Sequence, residues 1–224
     1  MHPTAMRNGE LFFSTYLNSA SEPLIFDIGS QDINGSLRQL APPGSRYLGL
    51  DFLPGPGVDL VLEDPYALPF ADRVADVVVS SSCFEHIEMF WLMFNEILRV
   101  LKPEGLFYLN APSNGEYHRY PVDCWRFYPD AGEALVRWAR RSGYNPALLE
   151  SFTTYQRQDI WNDFIAVFVR DADHVRCHAS RMIDSEVPFM NGRIYGNTEI
   201  LCYQPTSEDG DKLHRLTGHS KPAE

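Results

Sequence analysis

The 224 residues carry a formal net charge of −11, with 44% hydrophobic and 22% charged residues, a balance that suits a globular chain with a sizeable core. The acidic surplus and the absence of a Lys/Arg cluster argue against a nucleic-acid partner, which needs a basic face, and no run reaches the roughly 18 apolar residues of a membrane span. Cys83, Cys124, Cys177 and Cys202 form no CxxC pair, so neither a disulfide framework nor a metal site is expected and the cytoplasm is the default compartment.

In chain order, Ala5 to Leu17 predicts a helix with Leu11, Phe12, Tyr16 and Leu17 on its apolar face. Pro23 to Phe26 is a short apolar run that predicts a buried strand, ending in Asp27-Ile28-Gly29-Ser30. Asn34 to Leu40 predicts a short helix with Asn34 as its N-cap. Arg46 to Leu50 and Val58 to Leu62 predict the second and third strands, ending at Asp51 and at Glu63-Asp64. Only Phe52 to Gly57 lies between them, whereas a parallel crossover normally takes about a dozen residues; either the crossover is reduced to a turn or the strand ends lie elsewhere.

Ala75 to Val79 predicts a fourth strand running into Ser80-Ser81-Ser82. Glu88 to Leu101 has helical spacing, stopped by Lys102-Pro103-Glu104-Gly105. Leu106 to Leu109 is the expected fifth strand, Pro129 to Ser142 a helix, and Ala147 to Thr153 and Asp163 to Val169 two further strands. Strands alternating with helices imply an α/β fold with a mostly parallel sheet covered on both faces. Beyond Asp171 the patterning weakens: Thr198 to Tyr203 is a candidate extra strand, and Pro205 to Glu224 reads as a polar, frayed end.

Ligands of open parallel sheets bind beyond the carboxyl ends of the strands, where strand order reverses. Asp27 to Ser30, Asp51, Glu63-Asp64 and Ser80 to Ser82 all stand at such ends. A glycine after the first strand admits a ligand close to the backbone. An acid ending the second strand suits ribose hydroxyls, and one after the third suits an adenine amino group. Each piece alone is an ordinary turn or surface carboxylate; the ordered set describes an adenosine site. The Gly-x-Gly-x-x-Gly of nicotinamide-binding folds is absent.

From about His2 to Arg170 the chain resembles the class I, type 11-like S-adenosylmethionine (SAM)-dependent methyltransferases. The residues that carry the resemblance are Gly29-Ser30-Gln31-Asp32-Ile33-Asn34-Gly35-Ser36, Gly49-Leu50-Asp51, Gly55 to Asp59, Asp64 with Leu68-Pro69-Phe70, Asp76 to Ser80, Glu85-His86 and Leu98 to Gly105. The resemblance implies a Rossmann-like, seven-stranded sheet with its last strand antiparallel, and SAM as cofactor. It would place Asp27, Gly29 and Ser30 at the methionine end, Asp51 at the ribose, Glu63 or Asp64 near the adenine, and Ser81 and Ser82 beneath the methyl group. Gln31 stands where the commoner loop has glycine, which puts the tightness of cofactor binding in question.

His86, after the fourth strand, is a candidate general base, or else a helix cap. The segment Asn110 to Phe127 is dense in aromatic and charged residues and fits an acceptor wall or lid; a structural loop with Asp123 paired to Arg126 is the plainer alternative. In it His118 is the second candidate base, and Tyr117, Arg119, Asp123, Trp125 and Arg126 are candidate acceptor contacts. Trp161, Asn162 and Asp163 are expected to close the pocket from the far side, and the Phe90 to Phe94 stripe to be core.

The expected organisation is an N-terminal helical segment (1–20), a SAM-binding domain (21–170) and a C-terminal extension (171–224) that either caps the site or builds a homodimer. The expected function is methyl transfer to a hydroxyl or amine of a small molecule or glycan, with neither a nucleic-acid nor a membrane partner. The alternative is a methyltransferase-like binding or scaffold protein without turnover.

Overall fold

Short apolar runs alternating with helical periods yield one sheet with a helical layer on each face. The structure, a computed structural model, describes residues 2–17, 22–157 and 160–218. Among these, eight strands form a sheet in the order β3-β2-β1-β4-β5-β7-β6-β8: β1 (Leu24–Ile28), β2 (Arg46–Asp51), β3 (Leu60–Val61), β4 (Ala75–Ser81), β5 (Leu101–Pro112), β6 (Ala147–Thr154), β7 (Asp163–Val169) and β8 (Phe189–Ile194). The first five pair in parallel, β7 runs antiparallel to β5 and β6, and β8 runs antiparallel to β6. This is the Rossmann-like architecture expected from the sequence, with one strand more.

The period of two along each strand divides the core. Phe26, Val78, Phe107 and Phe168 face one side, where α2 (Phe90–Val100) lays down Phe94, Ile97 and Leu98 and α3 (Ala131–Arg141) adds Leu135, Val136 and Ala139. Ile25, Val77, Val79 and Tyr108 face the other, under Phe12 and Phe13 of α1 (Pro3–Tyr16) and Met182 and Ile183 from the C-terminal region. Each fully buried Phe or Leu contributes roughly 1.5–3 kcal/mol relative to exposure.

Several predicted elements shift. The buried face of α1 is Ala5, Asn8, Gly9, Phe12 and Phe13, with Leu11 and Leu17 only partly covered. The helix expected over Asn34–Leu40 is a short 3-10 turn, Leu37–Leu40, whose N-cap is Ser36, not Asn34. The cause is local. Asp32 Oδ1 accepts the Gly35 N–H at 2.8 Å, and Gly35 sits at φ 125°, a value no helix can use. The short crossover is real: Leu60 and Val61 pair in parallel with Leu50 and Asp51, and no helix intervenes between β2 and β3. Asp59 anchors that turn, accepting the Gly49 N–H at 2.7 Å and pairing with Arg38.

Beyond Asp171 the structure departs furthest from expectation. The added strand is Phe189–Ile194, which pairs with the outer edge of β6; Leu201, within the segment expected to be a strand, makes one isolated bridge to Gly192. Unpaired edge backbone invites a partner, and β8 supplies one. Glu150 on β6, wholly buried, accepts from Tyr16 Oη (2.5 Å), Met182 N (2.7 Å) and Ile183 N (2.9 Å). One carboxylate thus ties α1 and the C-terminal region to the sheet. Glu208–Thr217, within the stretch expected to be a polar, frayed end, forms a helix, α4, capped by Ser207, and the rest of that expectation, over 219–224, lies outside the described residues. No described helix is long and apolar enough to cross a membrane.

Candidate active site

Strand order reverses between β1 and β4, and a cavity opens at the carboxyl ends of β1, β2 and β4. Its floor and walls include Ile28, Leu50, Leu62, Cys83, Ile87 and Met93, and its polar lining Asp27, Ser30, Asp51, Ser81, Ser82 and His86. The loop after β1 is held by backbone bonds, Gly29 N and Ser30 N both donating to Leu50 O (2.9 and 3.2 Å). Gly29 has φ 82°, and a Cβ there would lie 2.4 Å from Cys83 Sγ, so only glycine lets the loops after β1 and β4 close on each other.

Two hydroxyls in this lining, Ser30 Oγ and Ser81 Oγ, are buried and have no hydrogen-bond partner. Buried polar atoms in proteins are almost always paired, so two orphans on one cavity wall fit a polar ligand. Asp51 is buried and accepts the Leu53 N–H (3.1 Å), and burial raises its pKa against the lowering effect of backbone N–H groups of Leu53, Gln31 and Phe52. Burial pushes Asp27 up to about 7 against the lowering effect of Tyr47, whose hydroxyl donates to it at 2.7 Å. The cavity thus offers hydroxyls and carboxylates on a hydrophobic floor, as an adenosine-bearing cation requires.

The other half of the site is a side-chain network. The short turn Phe84–His86 follows β4 and buries Glu85, whose carbonyl accepts from Cys124 N (2.7 Å) and Trp125 N (3.2 Å). Burial pushes the Glu85 carboxyl up to about 8, and Oε2 has no partner. His86 lies with Nδ1 2.5 Å from Val122 O and Nε2 3.7 Å from Glu85 Oε1; burial lowers its pKa, keeping the ring neutral near pH 7. Its ring meets that of His118 edge-on at 5.0 Å, and His118 meets Trp161 at 5.1 Å. Arg126 grips Asp123 through both carboxylate oxygens (2.6 and 2.9 Å) and holds it down to about 2.

Six of the eight residues expected on the cofactor line the cavity: Asp27, Gly29, Ser30, Asp51, Ser81 and Ser82. Glu63 and Asp64 are exposed beside it, Asp64 turned back to accept the Tyr66 N–H (2.8 Å), while Leu62 and Pro65 form the wall. His86 lines the cavity and His118 packs on it. Asp123 and Arg126 pair as the plainer alternative foresaw. Tyr117 is exposed, and Arg119 bonds within its own turn, donating to Pro121 O. Trp125 faces a separate aromatic groove with Phe90, Trp91 and Trp138, its Nε1 donating to Ile87 O. Trp161 closes on His118 and on the Arg126 guanidinium.

Sequence reasoning missed Cys83, Met93 and Glu85 as parts of the site, and reached Tyr120 only as a member of the Asn110 to Phe127 segment expected to form an acceptor wall or lid. Met93 belongs to the expected core stripe and also floors the cavity. Tyr120 donates its hydroxyl to Gln31 Oε1, and Gln31 Nε2 reaches Pro54 O at 3.3 Å. Gln31 therefore stays in the lining and links the loop after β1 to the segment after β5.

Residues 30–109 match the family described as "Methyltransferase domain". A methyltransferase of Mycobacterium leprae, itself uncharacterised, is 34% identical over 155 residues, which are 61% of this chain and 54% of that one. One from Mycobacterium avium is 30% identical over 157 residues, 63% and 60% of the two chains. The chain thus spans only part of the length of the curated relatives it matches. Among solved structures, Burkholderia thailandensis 1,6-didemethyltoxoflavin-N1-methyltransferase, with its substrate and S-adenosylhomocysteine bound, superposes with a TM-score of 0.54 at 13% identity, covering 75% of this chain and 78% of that one. A SAM-dependent methyltransferase of Methanosarcina mazei gives 0.53 at 13% identity over 76% and 98%; at such identities the likeness is one of fold. The family match over residues 30–109 and the order of the sheet together make this chain similar to methyltransferase domains, on a Rossmann-like fold.

Proposed function

We propose that the protein is a SAM-dependent methyltransferase acting on a hydroxyl or amine of a small molecule or glycan. The observation that carries this reading is the cavity at the strand-order reversal, whose buried wall holds Asp51 and the two orphaned hydroxyls of Ser30 and Ser81. Asp51 accepts the ribose hydroxyls, Asp27, Ser30 and Gly29 form the methionine end, and Ser81 and Ser82 lie beneath the methyl group. SAM, when bound, supplies a methyl group already activated on a sulfonium. The chain's own task is positioning, worth up to about 7–11 kcal/mol, and removal of the acceptor's proton, worth roughly 10²–10⁴-fold. His86, neutral and on the cavity wall, takes that proton, with His118 in ring contact behind it. Tyr117, Arg119, Asp123 and Arg126 shape the acceptor side. The charge of −11 disfavours a nucleic-acid acceptor.

Titration calorimetry with SAM and with S-adenosylhomocysteine tests this. Both should bind, and Asp51→Ala should weaken binding by roughly 10–100-fold, the loss of hydrogen bonds to a charged group, with an unchanged melting temperature. No heat from either ligand at high micromolar concentration overturns the reading. One observation favours the alternative of a binding protein without turnover: Gln31 remains in the cavity lining, tied to Tyr120. Cofactor retention without methylation of any compound in a broad hydroxyl and amine panel would select it.

A further inference from the structure

Where the cofactor cavity meets the acceptor side, one ligand atom from each of Glu85, His86 and His118 lies within 4.8 Å of the other two. Around a zinc-sized ion, with bonds of about 2.0–2.2 Å, such atoms stand roughly 3–3.5 Å apart. The three side chains therefore need to close by little more than an ångström. The turn Phe84–His86 fixes two of them, and the third is fixed by the His118 N–H, which donates to Asp123 Oδ2 at 2.7 Å.

Two details separate this cluster from a chance meeting of polar residues. Each imidazole has its Nδ1 against a backbone carbonyl, His86 on Val122 O (2.5 Å) and His118 on Glu116 O (3.1 Å). With Nδ1–H donating, the lone pair is left on Nε2, the arrangement that metal-binding histidines use to fix their tautomer. Glu85 is 1% exposed and its Oε2 has no partner. A buried carboxylate oxygen left open costs free energy, and a cation bound at that oxygen removes the deficit.

We propose that Glu85, His86 and His118 form a divalent metal site, contrary to the absence of a metal expected from the cysteine pattern. Two imidazoles and one carboxylate suit a borderline transition-metal ion such as Zn²⁺, Mn²⁺ or Co²⁺ in preference to Mg²⁺ or Ca²⁺, which prefer oxygen ligands. Three protein ligands leave at least one position open. Because His86 also lines the cavity, that position would be open to an oxygen of the acceptor, whose acidity the ion would raise. This would take the place of proton removal by His86, whose Nε2 lone pair the ion would occupy. This role for the ion rests on the methyltransferase reading and narrows the acceptor to an oxygen nucleophile; the metal site itself does not depend on it.

The test uses the full chain, stripped with EDTA and with its exposed thiols alkylated, titrated with Co²⁺ and followed by visible absorption. One Co²⁺ per chain is expected, with at least tenfold weaker binding in Glu85→Gln and in His118→Ala. His118 is 41% exposed, so its replacement decides the matter should Glu85→Gln fail to fold. No Co²⁺ uptake by the folded protein, or uptake with equal affinity in His118→Ala, overturns the proposal. S-adenosylhomocysteine binding is measured on the same samples. Binding of that ligand without Co²⁺ rejects the metal site and leaves the methyltransferase reading standing; Co²⁺ binding without it does the reverse.

Discussion

The two halves of the site are built by different means. On the cofactor side, the loops after β1, β2 and β4 are held by backbone bonds and close glycine contacts, and their side chains keep polar atoms in reserve, as Ser30 and Ser81 do. On the acceptor side most polar groups are engaged through side chains, Asp123 with Arg126 and the His118 N–H, His86 with Val122 O, Trp125 with Ile87 O, while Glu85 Oε2 and Arg126 Nε stay unpaired. A backbone-built half tolerates variation of its neighbours and accepts one ligand through its shape. A side-chain-built half changes chemistry with each substitution, and under the proposed function the acceptor would be chosen there.

The sharpest way to break this contrast is Gly29→Ala. The new Cβ would stand 2.4 Å from Cys83 Sγ in a backbone conformation with φ 82°, forcing the cofactor loop apart. Binding of S-adenosylhomocysteine should fall at least 1000-fold by calorimetry while circular dichroism still shows the sheet. An affinity within tenfold of the parent would mean that the loop is not backbone-defined.

The next test concerns charge on the cofactor side. Asp27 has a native pKa of about 7 against 3.8 when free of the fold, because burial disfavours its anion. The native state therefore holds a proton that the unfolded chain releases. Its stabilising effect is complete below about pH 4 and is lost as pH rises toward 7, a change of roughly 3–4 kcal/mol. Urea denaturation of the ligand-free protein across that range should show stability declining with pH more steeply than in Asp27→Asn, which keeps only the decline due to other buried acids such as Glu85. Parallel pH curves for the two proteins would refute the assignment.

The smallest expected effect lies on the acceptor side. Arg126→Met removes both bonds to Asp123 and should lower stability by about 1–3 kcal/mol, read from denaturation midpoints, and turnover should fall with it. Affinity for S-adenosylhomocysteine should hold within about twofold, since Arg126 does not line the cavity. A matching fall in cofactor affinity would show that the two halves are one unit.

The same contrast explains what could be read in the sequence. Val77-Val78-Val79, the Phe94-Ile97-Leu98 spacing and the acids ending β1 and β2 are local signals, and they located the parallel half of the sheet and most of the cofactor lining. β8 was invisible because its residues, Phe189-Met190-Asn191-Gly192-Arg193-Ile194, do not alternate between apolar and polar, although the first four alternate in burial with Met190 and Gly192 buried. Glu85 reads as a solvent-facing acid beside a histidine; its burial arises from the long-range folding of residues 112–127 over the end of β4. Glu150 was silent for the same reason, its three partners lying more than 30 residues away in each case. Glu63 and Asp64 follow β3 as the sequence indicates, and a tight turn directs Asp64 back to its own backbone beside the cavity lining.

The bond between Gln31 and Tyr120 bears on time as well as affinity. It joins the two halves across a rim where Tyr120 is 48% exposed. A ligand that enters or leaves between them must first break it. Under the proposed function, parting of this bond would accompany each exchange of spent for fresh cofactor, so its loss in Tyr120→Phe would register in the rate of ligand exchange.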